Sequence, residues 1–415
     1  LYDETKPFLH LLALDNFARL KKRMDQGYFE GLVKKYLLEN THAALLMLRP
    51  VPGLEAQEGA RVEQELKLYR EGLDEKAVEA LVKSTEALKA YQDEPSSPED
   101  LQKIPMLKRE DIRREALPLI NEELQVDGTT VLYQEIFTGG ISYIRLLFDA
   151  ESLPEELIPY MGILKHVLGF MDTENYSYGE LFNEINCHTG GIVPGVSLYG
   201  DMRDRDRFRV MFELRAKVLS GKTDFAFAIM REILKRTRLT DKKRLHEILS
   251  QLRSRLQMYL TSSGHSAAAM RAMAGFSRSA RMNDRISGVA FYQAVEELEQ
   301  HFEEHADELT EKLSQVMQYV LRPENLTVSC TSKEDGIEAV KKEIPALKKA
   351  LCTEVLPKAP VREETEAGAL KEGIMTPSAV QYVARAGHIS NYTGAYRILK
   401  VILSYDYLWI QIRVK

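Results

Sequence analysis

Between Arg207 and Ala216 the side chains alternate: Phe208, Val210, Phe212, Leu214 and Ala216 fall on one face, and Arg207, Arg209, Met211, Glu213 and Arg215 on the other. A period of two predicts a β-strand with one buried and one wet face, as in an antiparallel sheet covered by helices on a single side. Similar runs predict strands over 129–137 and 141–149. Between them Thr138-Gly139-Gly140 provides glycines for the positive φ of a tight turn, so a β-hairpin is expected there. A further strand is expected over 326–331. Apolar positions three and four apart predict helices over 223–237 and 241–260 and one long helix over 288–321. Strands in runs with helices in pairs give the fold class: α+β, an antiparallel sheet flanked by helices, with a helical hairpin linker.

The region upstream has a different texture. Residues 9–40 read as two helices broken near Gln26-Gly27, leading to a strand Ala43–Leu48 that Pro50 and Pro52 stop. A strand of that length needs partners, which are expected upstream of Leu1. From Leu54 to Tyr91 the chain is polar and helical, with a break at Gly72-Leu73-Asp74 where Asp74 can cap the second helix. Val78, Leu81, Val82, Thr85 and Leu88 make one apolar stripe along that second helix, so an antiparallel helical hairpin is predicted. Ser97 and Pro98 mark the start of the next helix, as cap and first-turn residue. Toward the other end, Pro357 to Gly373 reads as an interdomain connection, Ala379–Ala386 as a strand, and Thr393–Val414 as a helix that stops without a cap.

Composition narrows the function classes. The 415 residues suggest about two to three domains and a substantial core. A net charge of −6 with 28% charged residues argues against a general nucleic-acid binder, which would carry a concentrated basic surplus. No run reaches the roughly 18 apolar residues of a membrane span, and Leu1-Tyr2-Asp3-Glu4 is no signal peptide, although the chain lacks an initiator Met. Cys187, Cys330 and Cys352 have no C-x-x-C spacing, so neither a disulfide framework nor a thiolate metal cage is implied, and a reducing, cytoplasmic setting is expected.

Several stretches offer chemistry. His301-Phe302-Glu303-Glu304-His305 is a literal H-x-x-E-H, in which histidines one helical turn apart could share a zinc and Glu304 could act as base. Its flanks, Glu296, Glu297, Glu299, Asp307 and Glu308, are those of a solvated acidic helix, and a surface reading is preferred. Cys187-His188 are neighbours that point in different directions, and His265 lies two residues from Ser263 with no carboxylate nearby in sequence to orient it. Arg203, Arg205, Arg207 and Arg209 are interleaved with Asp201, Asp204 and Asp206, and lack the aromatic residues of a nucleic-acid stacking surface. None of these is taken as a catalytic or metal site.

The most informative stretch is Gly162-Ile163-Leu164-Lys165-His166, which has the length and setting of an inverted zinc motif while Gly162 and Lys165 stand where the first histidine and the glutamate belong. It is followed by Tyr178-Gly179-Glu180-Leu181 and Thr189-Gly190-Gly191-Ile192. With Asn40-Thr41-His42, Thr138 to Tyr143, Ser263-Gly264-His265-Ser266, Ser287 to Tyr292 and Tyr407 to Lys415, these blocks occur in an order that resembles the non-catalytic half of the pitrilysin, or insulinase, superfamily, in particular its presequence-protease-like subfamily.

The resemblance implies four related α+β domains in two halves that close like a clamshell around an unfolded peptide, with zinc in the first domain only. On that pattern residues 1–54 are the end of the second domain, 55–124 the helical linker, 125–360 the third, inactive domain and 361–415 the start of the fourth. It also implies that Arg413 reaches the substrate backbone near the zinc, where the fork of a guanidinium suits a peptide carbonyl. The expected partners are the catalytic half, the rest of the second half and unfolded peptides, without nucleic acid or membrane. Zinc is expected in the parent protein and none held catalytically by this chain. The alternative is a non-catalytic peptide-binding or scaffold protein on the same fold.

Overall fold

A computed structural model describes residues 4–201, 203–204, 207–356, 371–376, 380–389 and 391–414. Contacts gather into two units, one running to Arg114 and one starting at Glu115.

In the first unit α1 (Ala13–Met24) and α2 (Tyr28–Val33) are separated by Gly27, whose φ of 65° only glycine adopts at little cost. α2 runs on as a π-helix over Lys34–Leu38. The expected strand Ala43–Leu48 does not form: the backbone is irregular, and Leu45, Leu46, Met47 and Leu48 are all exposed. An extended segment becomes a strand only when another strand satisfies its backbone groups, and no described strand pairs with this one. α3 (Leu54–Glu71) and α4 (Glu75–Asp93) are the predicted helices, and Asp74 caps α4 by accepting from the Ala77 amide at 2.7 Å. α5 (Pro98–Lys103) starts with Pro98 in its first turn and Ser97 accepting from the Asp100 amide at 3.1 Å. No described residue before Thr129 is buried.

The second unit contains β1 (Glu122–Val126), β2 (Thr129–Glu135), β3 (Ile141–Asp149), α6 (Ile158–Val167), α7 (Tyr178–His188), β4 (Ile192–Gly200) and β5 (Phe208–Leu219). Then come α8 (Thr223–Arg236), α9 (Lys242–Ser262), α10 (Gly264–Ala274), α11 (Arg278–Ser287), α12 (Val289–Gln300) and α13 (Phe302–Val320). β6 (Leu326–Ser332), α14 (Glu334–Lys348) and α15 (Gly394–Ile402) complete it, α15 continuing as a π-helix over Leu403–Val414.

The strands form one sheet in the order β1-β2-β6-β3-β5-β4. β2 and β3 are therefore not a hairpin. β6 lies between them, parallel to β2 and antiparallel to β3, so the sheet is mixed rather than wholly antiparallel. The Thr138-Gly139-Gly140 loop has to cross about 10 Å, two strand spacings, instead of turning back on itself. The hairpin is β1–β2, closed by Asp127 (φ 51°) and Gly128 (φ 72°), the pairing of positive φ values that an Asp-Gly turn adopts.

Helices cover one face of the sheet. Ile144, Leu146 and Phe148 of β3, Phe212 and Leu214 of β5 and Val328 of β6 share a core with Leu164 of α6, Phe227 of α8, Val316 of α13 and Ile344 of α14. The long helix expected over 288–321 is two helices, broken where His301 (φ −113°, ψ 34°) leaves helical geometry. Glu299 and Glu303, Glu303 and Asp307, and Glu304 and Glu308 stand four apart, and like charges at that spacing weaken a helix at this point. Of the strand expected over 379–386, Ala379 lies outside the described residues and 380–386 is irregular.

Candidate functional site

Helix α6 carries the stretch 162–166 that resembles an inverted zinc motif, and its surroundings decide what it can do. Met161, Gly162, Ile163, Leu164 and Val167 are buried. Gly162 packs directly against the α11–α12 junction: a Cβ there would lie 2.6 Å from the Phe291 ring and 2.8 Å from the Ile286 carbonyl oxygen. The space a ligating histidine would need is filled by Phe291. Lys165 donates through Nζ to the Ile286 carbonyl at 3.2 Å and lies 5.6 Å from the centre of the Phe291 ring. Burial lowers its pKa to about 8. His166, one residue on, is pushed down to about 4, by burial first and then by the positive charges of Lys165 and Arg255. At neutral pH it is an uncharged imidazole among cations, which would repel a dication. The residues present do not fit zinc, and α6 acts as a packing junction for α11 and α12.

The two following blocks are structural in the same sense. Ser177 and Glu180 form a reciprocal cap at the start of α7, with Leu181 and Ile185 buried behind it. Gly190 and Gly191 (φ 118°) enter β4 against β5: the Gly190 amide donates to the Lys217 carbonyl at 2.7 Å, and the Lys217 amide to the Gly191 carbonyl at 3.2 Å.

The literal motif at 301–305 has the opposite surroundings. His301 is at the helix break with Nε2 3.7 Å from Glu297, and His305 pairs through Nδ1 with Glu308 at 3.2 Å. Each imidazole has its own carboxylate, with His301 exposed and His305 half-buried at the surface. Among the described residues no group of three or more His, Cys, Asp or Glu side chains could hold a metal ion.

The other expected positions separate. His188 Nδ1 is 3.0 Å from Lys222 Nζ and its ring stacks obliquely on Phe225, while Cys187 is exposed. His265 begins α10 beside Tyr382, whose ring would collide with any side chain at Gly264. Arg413 is exposed near the end of the π-helix, with its guanidinium carbon 5.9 Å from the Trp409 ring centre. In the arginine-rich turn the Arg203 amide donates to Asp201 at 2.8 Å, whereas Met202, Arg205 and Asp206 lie outside the described residues.

Sequence reasoning missed the open face of the sheet. There a groove of about 950 Å³ is lined by Gln134, Tyr143, Arg145, Arg215, Lys217 and Thr331, among others. Arg145 of β3 and Arg215 of β5 stand directly opposite each other in register, and Tyr143 stands opposite Lys217. Met211 and Glu213, expected to be wet, are buried. Glu213 is only 1% exposed; it accepts from the Tyr199 hydroxyl at 2.7 Å and lies 3.9 Å from Arg215 Nε. Burial and Glu213 raise the Tyr199 pKa, and Arg145 partly offsets the rise. Tyr143 and Arg145 alternate along β3 in the sequence; their register with Arg215 and Lys217 does not appear there.

No helix among the described residues is long and apolar enough to cross a membrane. A family profile, described as associated with subfamily C of the M16 peptidases, matches residues 48–298. Protein HypA of Clostridium perfringens is 34% identical over the whole of this chain and 42% of its own length. Presequence protease 1, chloroplastic/mitochondrial, of Arabidopsis thaliana is 27% identical over the whole of this chain and 39% of its own length. The mitochondrial presequence protease of Yarrowia lipolytica is 26% identical over 69% of this chain and 28% of its own. The chain thus spans about two fifths of the length of the first two relatives.

Proposed function

Because the chain belongs to the family associated with subfamily C of the M16 peptidases, whose profile covers more than half of it, we propose that it is a central, non-catalytic section of a zinc-dependent endopeptidase that degrades unfolded peptides in a clamshell chamber. The relatives named as presequence proteases support this reading. The observation that carries it is Gly162 packed against Phe291 and Ile286: the zinc helix is kept as scaffold while its ligand space is closed.

In this reading the sheet of the second unit is chamber wall, and the helices α3 and α4, within 55–124, are the hinge that joins the halves. Residues 1–54 finish the second domain, 125–360 are the third and 361–415 open the fourth. A zinc ion bound elsewhere in the parent would supply the Lewis acidity that activates water. Arg413 contributes a guanidinium to the substrate backbone. Five donors in a planar fork suit a peptide carbonyl whose oxygen gains charge during attack.

The test is hydrolysis of a quenched fluorogenic peptide by the complete parent polypeptide and by this chain. The parent is expected to turn the peptide over and to stop with a chelator, and the chain to do neither. Chelator-sensitive turnover by the chain alone would contradict the proposal. An inactive parent would favour a scaffold or peptide-binding protein instead.

A further inference from the structure

The groove on the open sheet face is lined by basic side chains and by no carboxylate. Three cations, Arg145, Arg215 and Lys217, line the groove, and Glu213, which lies 3.9 Å from Arg215 Nε, already accepts from Tyr199 and is 1% exposed. No ion pair is formed by Arg145 or Lys217 among the described residues. Lys217 instead lies 5.7 Å from the Tyr143 ring centre. Arg145 and Arg215 are a directly opposed cross-strand pair, an arrangement that repels itself unless an anion intervenes. The row runs Glu123, Leu132, Ser329, Arg145, Arg215 and Val193 across β1, β2, β6, β3, β5 and β4, so the arginines have neutral neighbours on both sides and a carboxylate stands only at the β1 edge. The surface is long enough for an extended peptide and has a cationic centre.

We propose that this groove binds an extended peptide by an aspartate or glutamate side chain, with Arg145 and Arg215 holding the carboxylate between them and Tyr143 and Lys217 flanking it. Two guanidiniums can each offer paired N–H donors to one carboxylate, a geometry that surface lysines do not match. Glu213, buried and already hydrogen-bonded to Tyr199, lies 3.9 Å from Arg215 Nε, and the Arg215 guanidinium lies over Gly195 of β4, where no side chain competes for it. The inference rests on the peptide-chamber reading and adds a preference in substrate: unfolded segments with acidic residues are retained longer than neutral ones.

The experiment is fluorescence anisotropy with the full chain and three labelled unstructured peptides. One carries Asp and Glu with an amidated C-terminus, the second replaces them by Asn and Gln, and the third is the neutral peptide with a free C-terminal carboxylate. The acidic peptide should bind about tenfold more tightly than the neutral one at low ionic strength, with the advantage shrinking as salt is added. Arg145→Gln and Arg215→Gln should each remove most of that advantage without weakening binding of the neutral peptide, and Arg145→Lys should keep part of it. Circular dichroism confirms that the variants fold. Equal affinity for acidic and neutral peptides, an unchanged preference in the double variant, or a preference for the free C-terminus alone would overturn the inference. In the first and last of these cases peptides still bind, so the chamber reading survives. Failure of the parent to cleave any peptide removes that reading separately.

Discussion

Helix α6 and the α12–α13 junction can be compared position by position, since each carries part of the same zinc motif. At 162–166 the frame is intact: a continuous helix, buried on most sides and packed on the sheet core, with one histidine left. At 301–305 the letters are intact, but the helix breaks at the first histidine and each imidazole pairs with a separate surface carboxylate. A catalytic metal site needs both the ligands and a dry, rigid place to hold them. The buried stretch has the place and has filled it with Phe291; the exposed one has the side chains and no enclosure.

The sharpest way to break this comparison is to put a histidine back at 162. Gly162→His drives a side chain into Phe291 and Ile286, and overpacking of this kind costs about 3 kcal/mol or prevents folding. Urea unfolding measures it, and a variant as stable as the parent chain would show that α6 can open to accept a ligand.

Acid titration probes the same junction with a comparable effect. His166 has a pKa of about 4 in the folded chain against an ordinary 6.5, so between those values the unfolded state takes up the proton. Stability from this group is full above pH 6.5 and is lost as pH falls to about 4, up to about 3 kcal/mol in all. His166→Gln should flatten that part of the curve. A slope unchanged by the substitution would assign acid sensitivity to other groups.

Lys165 sharpens the comparison from the alkaline side. With its pKa lowered from 10.5 to about 8, stability rises with pH across that window as the buried amine is relieved of its charge. Lys165→Met should therefore stabilise the chain at pH 7, by about 1 kcal/mol after the lost hydrogen bond to Ile286. Destabilisation would mean that the amine is better solvated than its burial implies. The smallest effect belongs to the literal motif: His301→Ala with His305→Ala should change stability by less than about 0.5 kcal/mol, as expected of surface side chains whose only partners are single solvated carboxylates.

What the sequence discloses follows the same divide between local and distant contacts. The period of two in β5, the cap at Asp74 and the break at Gly27 are local, and each is readable. Val126-Asp127-Gly128-Thr129 is also readable as a hairpin turn, yet the glycines at 139 and 140 draw the prediction instead. The insertion of β6 between β2 and β3 is not readable, because its partners lie about two thirds of the second unit away along the chain. The run Ala43–Leu48 shows the limit from the other side: strand-like composition makes no strand without a partner. At the candidate site, the missing histidine at 162 is visible in the letters, while Phe291 filling its space is visible only after folding. Arg145 opposite Arg215 is of that second kind, since register is set by the assembled sheet.

The most direct test of the account is a zinc titration of the metal-free chain by isothermal calorimetry, repeated on the His301→Ala, His305→Ala double variant. The account predicts at most weak, substoichiometric heat that differs little between the two proteins. One equivalent of zinc bound tightly by the unmodified chain and lost in the double variant would contradict it.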